Sequence, residues 1–326
     1  MTRFAAWIVL GCVTLAGSLI STNAAFGQSW PTKPIRIIVN FPPGGAADQL
    51  ARLMAPSLTD TLGQPITVEN RGGANGNIGS EAVIRSPADG YTLLMSSGGA
   101  VIINPTLFPK MSFDPMRDLV PVAAAARISV FLVIRASLPI KTVAEFTAYA
   151  RANPGKLTYG SPGNGSSPHI AAEMFAERAN VQYIHIPYRG AAPAMTDMLA
   201  DRLDFAFDVG IGFPHVRSGR LRMLAVGSPH RTSAFPDVPT LAETGMPGFD
   251  ADSIFGIYAP SGTPPEIVER LNRDIARALE VPATRERIAA IGGAPLALKP
   301  AEFAARNRND RDAFAKIIAH ARIKAD

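Results

Sequence analysis

A chain of 326 residues that is 47% hydrophobic and 18% charged is long enough to bury one or two sizeable cores. Its formal net charge of +5 is a mild bias toward anions, and without a Lys/Arg run interleaved with aromatics it excludes nucleic acid as the expected partner. One cysteine, Cys12, excludes an internal disulfide framework.

The first residues read as an export signal. Arg3 gives a short positive start, Phe4 to Ile20 is almost entirely apolar, and Ala25-Phe26-Gly27 places small residues where a signal peptidase reads. The predicted signal spans 1–27, so the exported chain begins at Gln28 and loses both Arg3 and Cys12. A second reading takes Val9-Leu10-Gly11-Cys12 as a lipoprotein cleavage box, but it leaves a long apolar tail on the product. No later apolar run approaches the roughly 18–20 residues of a membrane helix.

From Trp30 to Val101 strands and helices alternate. Ile35 to Val39, Ile66 to Glu69 and Tyr91 to Ser96 are predicted strands; Leu50 to Leu62 and Ile78 to Ser86 are predicted helices. This rhythm is α/β with a largely parallel sheet. Between the first strand and helix stands Asn40-Phe-Pro-Pro-Gly-Gly-Ala-Ala-Asp48, in which the prolines stop the strand, Gly44 and Gly45 permit the turn, and Asp48 is a candidate N-cap. Such a turn aims unpaired N–H groups and the positive end of a helix off the strand, where a small anion can be held without a charged side chain. An ordinary strand-to-helix turn is the alternative. Ser96-Ser97-Gly98-Gly99 lies at the same edge, where open α/β sheets bind ligands. Arg71 to Gly79 is a second Gly-rich loop without dinucleotide spacing, read as a flexible rim.

Val120 to Ala126 and Val130 to Ile134 are extended apolar segments, after which a second α/β rhythm begins. Thr142-x-x-Glu145 is a capping box, and Lys156 to Gly160 is a strand. Ser161-Pro-Gly-Asn-Gly-Ser-Ser-Pro168 repeats the chemistry of the first turn, with Ser167 as N-cap and Pro168 opening the helix. Tyr183 to Ile186 leads into Pro187-Tyr-Arg-Gly-Ala-Ala-Pro193, another turn before a helix; Leu203 to Phe207 ends at Asp208, and Leu221 to Val226 runs back. Thr240-x-x-Glu243 and Thr263-Pro-Pro-Glu266 have capping-box spacing, the second opening an amphipathic helix with Ile267, Val268, Leu271, Ile275, Ala278 and Leu279 at helical spacing. A last helix runs near Phe303 to Ala321.

An α/β unit inserted at 125–225 predicts two lobes joined by two crossings, the other lobe being 28–124 plus 226–326. Lobes so joined hinge around whatever lies between them. Turns 43–48, 163–168 and 189–192 all aim helix N-termini at the shared cleft.

At this point the chain resembles the receptor family of tripartite tricarboxylate transporters, the Bug-type periplasmic solute-binding proteins. The likeness rests on Trp30-Pro31, Pro34 to Ile37, Phe41 to Asp48, Glu69-Asn-Arg-Gly-Gly73, Gly76, Ile78-Gly79, Asp89-Gly90-Tyr91, Lys156 to Ser166, Pro187-Tyr-Arg-Gly190, Leu224-Ala-Val226, Pro236-Asp-Val-Pro-Thr240 with Glu243 and Gly245, and Ala259-Pro260 with Thr263-Pro264. It implies a two-lobed periplasmic binding-protein fold of the type II Venus-flytrap kind, location in the periplasm and a carboxylate-bearing ligand. It also implies delivery, by a receptor acting as a monomer, to a permease of two further membrane subunits. A sensor of the same fold signalling to a membrane partner is the alternative. Asn40 stands where a proline is common in the family and Phe255 where many members carry Trp, so the pocket wall differs.

The expected ligand contacts are Phe41, Pro43, Gly44, Gly45, Ala46 and Asp48 on the first turn, with Ser96 beside it. From the second lobe come Ser161, Gly163, Asn164, Gly165, Ser166 and His169, then Tyr188, Arg189, Gly190 and Ala191, and Asp208. Ser161, Asn164 and Ser166 can hydrogen-bond a carboxylate, against turn chemistry as the alternative. Tyr188 offers an apolar wall with a polar tip, Arg189 a bidentate partner or a solvated turn cation, and Asp208 a receiver for a ligand ammonium or hydroxyl, or a cap for nearby amides. Catalysis and cofactors are not expected. Pro168 occupies the third glycine place of a dinucleotide fingerprint begun by Gly163-x-Gly165, Gly-x-Ser-x-Gly is absent, and no paired-His zinc spacing occurs.

Overall fold

A computed structural model describes residues 30–108, 110–321 and 323; the export signal read over 1–27, with Cys12, lies outside the described residues. Strands β1 (Ile35–Val39), β2 (Ile66–Asn70) and β3 (Thr92–Ser97) are joined by helices Ala46–Leu62 and Asn77–Ile84 and pair in parallel in the order β2-β1-β3. β4 (Leu119–Ile128) belongs to the same sheet. Then β5 (Phe131–Arg135) opens a second sheet that gathers β6 (Thr158–Ser161), β7 (Ile184–Pro187), β8 (Phe205–Asp208) and β9 (Leu221–Val226) in the order β7-β6-β8-β5-β9. The chain returns with β10 (Ser253–Pro260), which inserts antiparallel between β3 and β4, and β11 (Gly293–Pro295), which pairs with β4.

Two lobes result, each an α/β sheet with its own helices. Because β4 pairs within the first sheet as far as Ile128, the chain passes between sheets at Ser129 and Val130. The return passage runs from 227 to 252. Central strands are covered on both faces and therefore read as largely apolar runs: β1 is Ile-Arg-Ile-Ile-Val, buried except at Arg36, and all eight residues of β10 are buried. Helix Ala46–Leu62 lays Leu50, Met54, Leu58 and Leu62 on the first sheet at helical spacing. Helix Pro265–Glu280 does the same with Val268, Leu271, Ile275 and Leu279, and its buried Asp274 is paired by Arg270 at 2.6 Å. A second apolar cluster, with Phe131, Met195, Met198 and Phe213, covers one face of the second sheet. The last helix, Pro300–Ala321, packs on β4 and also on helix Ser167–Ala179 of the second lobe.

Local signals held unevenly. Thr142 caps its helix by accepting from Glu145 N at 3.1 Å, as its spacing predicts. At Thr240 and Glu243 both reciprocal capping bonds form, yet a turn follows instead of a helix. The Thr263 hydroxyl donates to Pro260 O, and Pro264 occupies the cap position. Asp48 is not an N-cap. Gly45 is, and Asp48 sits inside the first turn, reaching back to accept from Gly44 N at 3.0 Å. Ser166, one residue earlier than expected, caps the helix that begins at Ser167.

Candidate functional site

Between the sheets, three turns converge on one cavity of about 70 Å³. On that measure one water takes ~10–15 Å³, so the space suits a small molecule and not a polymer. The first lobe contributes Phe41, Pro42, Pro43, Gly45, Ala46 and Ala47, with Ser97, Ser253 and Phe255. The second contributes Pro162 and Ser166 to Pro168, the stretch Gly190 to Pro193, and Val209. Among the described residues no charged side chain lines it; its side-chain polarity is four serine hydroxyls.

Each turn delivers a helix start. Helices Ala46–Leu62, Ser167–Ala179 and Ala191–Leu199 have Gly45, Ser166 and Gly190 as caps, none of which makes a side-chain capping bond. First-turn amides have no intrahelical acceptor, and the macrodipole places partial positive charge there. Ala46, Ala47, Ser167, Ala191 and Ala192 carry such amides at the cavity wall, whereas Pro168 and Pro193 carry none. The Ser166 hydroxyl is buried and has no hydrogen-bond partner. An unmade bond of that kind costs roughly 1–3 kcal/mol, so the site is built to receive a polar group.

Of the residues expected from sequence, Phe41, Pro43, Gly45, Ala46, Ser166, Gly190 and Ala191 line this cavity. Others are turned elsewhere by identifiable partners. Gly44 gives its amide to Asp48, and Asp48 also takes Arg52 Nε at 2.8 Å and Asn70 Nδ2 at 3.0 Å. Ser96 accepts from Asn40 Nδ2 at 2.9 Å and donates to Ser97 O. Ser161 is fully buried, 2.7 Å from His185 Nε2, and bonds both ways with the Gly163 backbone. Gly165 donates its amide to Nδ1 of His169 at 3.0 Å, which anchors that turn to the lobe interior; Asn164 lies in the same turn.

His169 is therefore a structural acceptor. It lies against His185, ring centroids 3.9 Å apart, and burial lowers its pKa to about 3 and that of His185 to about 4. Tyr188 donates to Asp197 at 2.7 Å on the flank of the second lobe. Arg189 is exposed. Asp208 is buried and accepts from Gly210 N at 2.8 Å and Gly212 N at 2.9 Å; desolvation raises its pKa to about 6 despite those bonds. It borders a small neighbouring pocket, with Met195 and Met198, rather than the main cavity.

The lobes are closed on each other. A Cβ built on Gly190 would lie 3.1 Å from Pro42 Cγ across the cleft, and Ser167 Oγ donates to Ser253 Oγ at 3.0 Å. Sequence reading put Ser97 at the ligand edge and Ala192 in a cleft turn without naming either as a contact, and it missed Pro193, Val209 and Ser253 as cavity residues. Period-2 alternation could have found Ser97, since its neighbour Ser96 points the opposite way.

Comparison with known proteins finds relatives along most of the chain. Residues 50–320 fit the sequence model of the family described as "Tripartite tricarboxylate transporter family receptor". BugT of Bordetella pertussis is 38% identical over 302 residues, 92% of this chain and 91% of BugT. A solved structure described as "R. palustris Rpa4515 with adipate" is 34% identical with a TM-score of 0.87, covering 91% of this chain and 100% of that one. MatC from Rhodopseudomonas palustris with bound malate is 29% identical with a TM-score of 0.82, covering 89% and 100%.

Proposed function

The chain belongs to the receptor family of tripartite tricarboxylate transporters, and on that footing we propose that it captures a small carboxylate-bearing metabolite in the periplasm and delivers it to a two-subunit membrane permease. The family is one of solute receptors, not enzymes. The observation that carries the reading for this chain is the buried, unpartnered Ser166 hydroxyl at a cavity where three helix N-termini meet and, among the described residues, no charged side chain intrudes. Peptide amides and hydroxyls there offer a carboxylate oriented donors in a desolvated setting, the arrangement that favours anions at helix starts. Neighbours of the same fold hold adipate and malate, which supports an organic acid as the ligand.

In this reading, the two jaws are the expected units, 28–124 with 226–326 and 125–225, except that the first crossing lies at Ser129 and Val130, and a monomer closes on its ligand. Protein purified from the periplasm without refolding, examined by native mass spectrometry, should release a small organic acid that rebinds in calorimetry. Failure of aliphatic, aromatic and amino-substituted acids alike to bind would overturn the reading. Growth on the acid in a permease deletion, set against acid-dependent gene induction, separates delivery from a sensor role.

A further inference from the structure

The two passages of the chain between the sheets meet at one carboxylate. Asp252, its side chain 2% exposed, ends the return passage immediately before β10. It accepts at Oδ2 from Nε of Arg127, near the end of β4, and at Oδ1 from the hydroxyl of Ser228, just after β9. The Ser228 hydroxyl lies 2.5 Å from that of Ser129, in the outgoing passage. Backbone bonds tie the same segments, from Gly227 N to Val130 O at 2.7 Å and from Ala251 N to Gly227 O at 3.0 Å. Arg127 is held on its other side by Asp250, through Nη2 at 2.9 Å.

The residue after Asp252 faces the other way. Ser253 lines the ligand cavity and accepts the Ser167 hydroxyl from the opposite lobe. A hinge carboxylate and a cross-cleft contact are thus consecutive in the chain. We propose that Asp252 is the positioning residue of the hinge: it pins both passages to a single pivot, restricts the lobes to one arc of closure, and brings Ser253 opposite Ser167 at the end of that arc. Two free passages bend and twist independently, whereas two passages fastened to each other keep chiefly one bending motion. A buried ion pair suits the task, because a partner that slipped away would leave its charge uncompensated. The inference holds whichever acid the cleft takes.

The test measures distances between the lobes. Asp60 and Thr196 are exposed, on helices whose N-termini meet at the cavity. With Cys12→Ala in the background, Asp60→Cys and Thr196→Cys carry spin labels for pulsed electron resonance, without ligand and with malate or adipate as probes. The parent protein should give a narrow distance distribution. Asp252→Asn, which leaves Arg127 paired with Asp250, should shift the distribution to longer and more widely spread distances, and Ser228→Ala should do so to a lesser degree. If Asp252→Asn does not fold, Ser228→Ala decides alone. A fall in melting temperature with unchanged distances would reduce Asp252 to a stabilising residue and overturn the proposal. Should neither probe bind the parent, the ligand-free distributions still decide the hinge, so its failure and that of the receptor reading remain distinguishable.

Discussion

Ser167 Oγ donates to Ser253 Oγ at 3.0 Å, from the first turn of a second-lobe helix to the first residue of a first-sheet strand. This bond closes one end of the cavity using only hydroxyls, and it leaves the adjacent Ser166 hydroxyl as the group without a protein partner. The two neighbouring serines therefore do different things, one joining the lobes and the other leaving an unpaired hydroxyl at the cavity wall.

Ser166→Ala should weaken ligand binding about tenfold, the equivalent of ~1.5 kcal/mol for a hydrogen bond to a charged group. Its melting temperature should not fall, because the hydroxyl gives up no bond within the protein. Calorimetry with the co-purified acid, alongside thermal melts, checks both; unchanged affinity would remove Ser166 from the site.

Gly190→Val should hold the clamshell ajar. The new Cβ meets Pro42 Cγ at 3.1 Å, and φ of +116° strains any side chain there. Small-angle scattering should show a larger radius of gyration, and affinity should drop more than tenfold, while the ~1–3 kcal/mol of backbone strain is felt separately in melting. Adding Pro42→Ala should restore compactness while leaving the melting temperature low. A compact Gly190→Val protein would show that the contact does not limit closure.

What could be read in advance follows from locality. Strand, Gly-rich turn and helix start are adjacent in the chain, so all three cavity turns were visible in sequence. Strand β10 was not, because Ser253 to Pro260 carries a mid-strand glycine whose reason is distant: a Cβ on Gly256 would fall 2.4 Å from Phe303 Cζ. Side-chain direction at the turns was equally hidden. His185 claims Ser161, Asn40 claims Ser96, Asp197 claims Tyr188, and the amides of Gly210 and Gly212 claim Asp208. Except for the glycines that Asp208 caps, these partners lie on other elements, beyond the reach of local pattern.

Arg189→Ala should change affinity by no more than about twofold, as expected of an exposed arginine away from the cavity. With no charged side chain among the described residues of the lining, binding should also depend weakly on salt. A tenfold loss in Arg189→Ala would show that the arginine does contact the ligand.

Acid should loosen the turn that carries Ser166, through His169. Its Nδ1 accepts the Gly165 amide, which only an unprotonated nitrogen can do, and burial lowers its pKa from 6.5 to about 3. Above pH 6.5 neither folded nor unfolded imidazole holds a proton and the bond contributes fully. As pH falls from 6.5 toward 3 the unfolded chain takes up a proton that the folded one refuses, so stability declines; His185 acts in the same sense down to about 4. Asp208, Glu173 and Asp252 work oppositely, since desolvation raises their pKa values and the folded state binds the extra proton. A difference measurement removes them. His169→Asn keeps an acceptor for Gly165 but does not titrate, so the advantage of the wild type over it in thermal melts should shrink between pH 7 and 5 by up to about 2 kcal/mol, at 1.36 kcal/mol per pH unit. An advantage that stays constant across that range would show that His169 carries no proton-linked load.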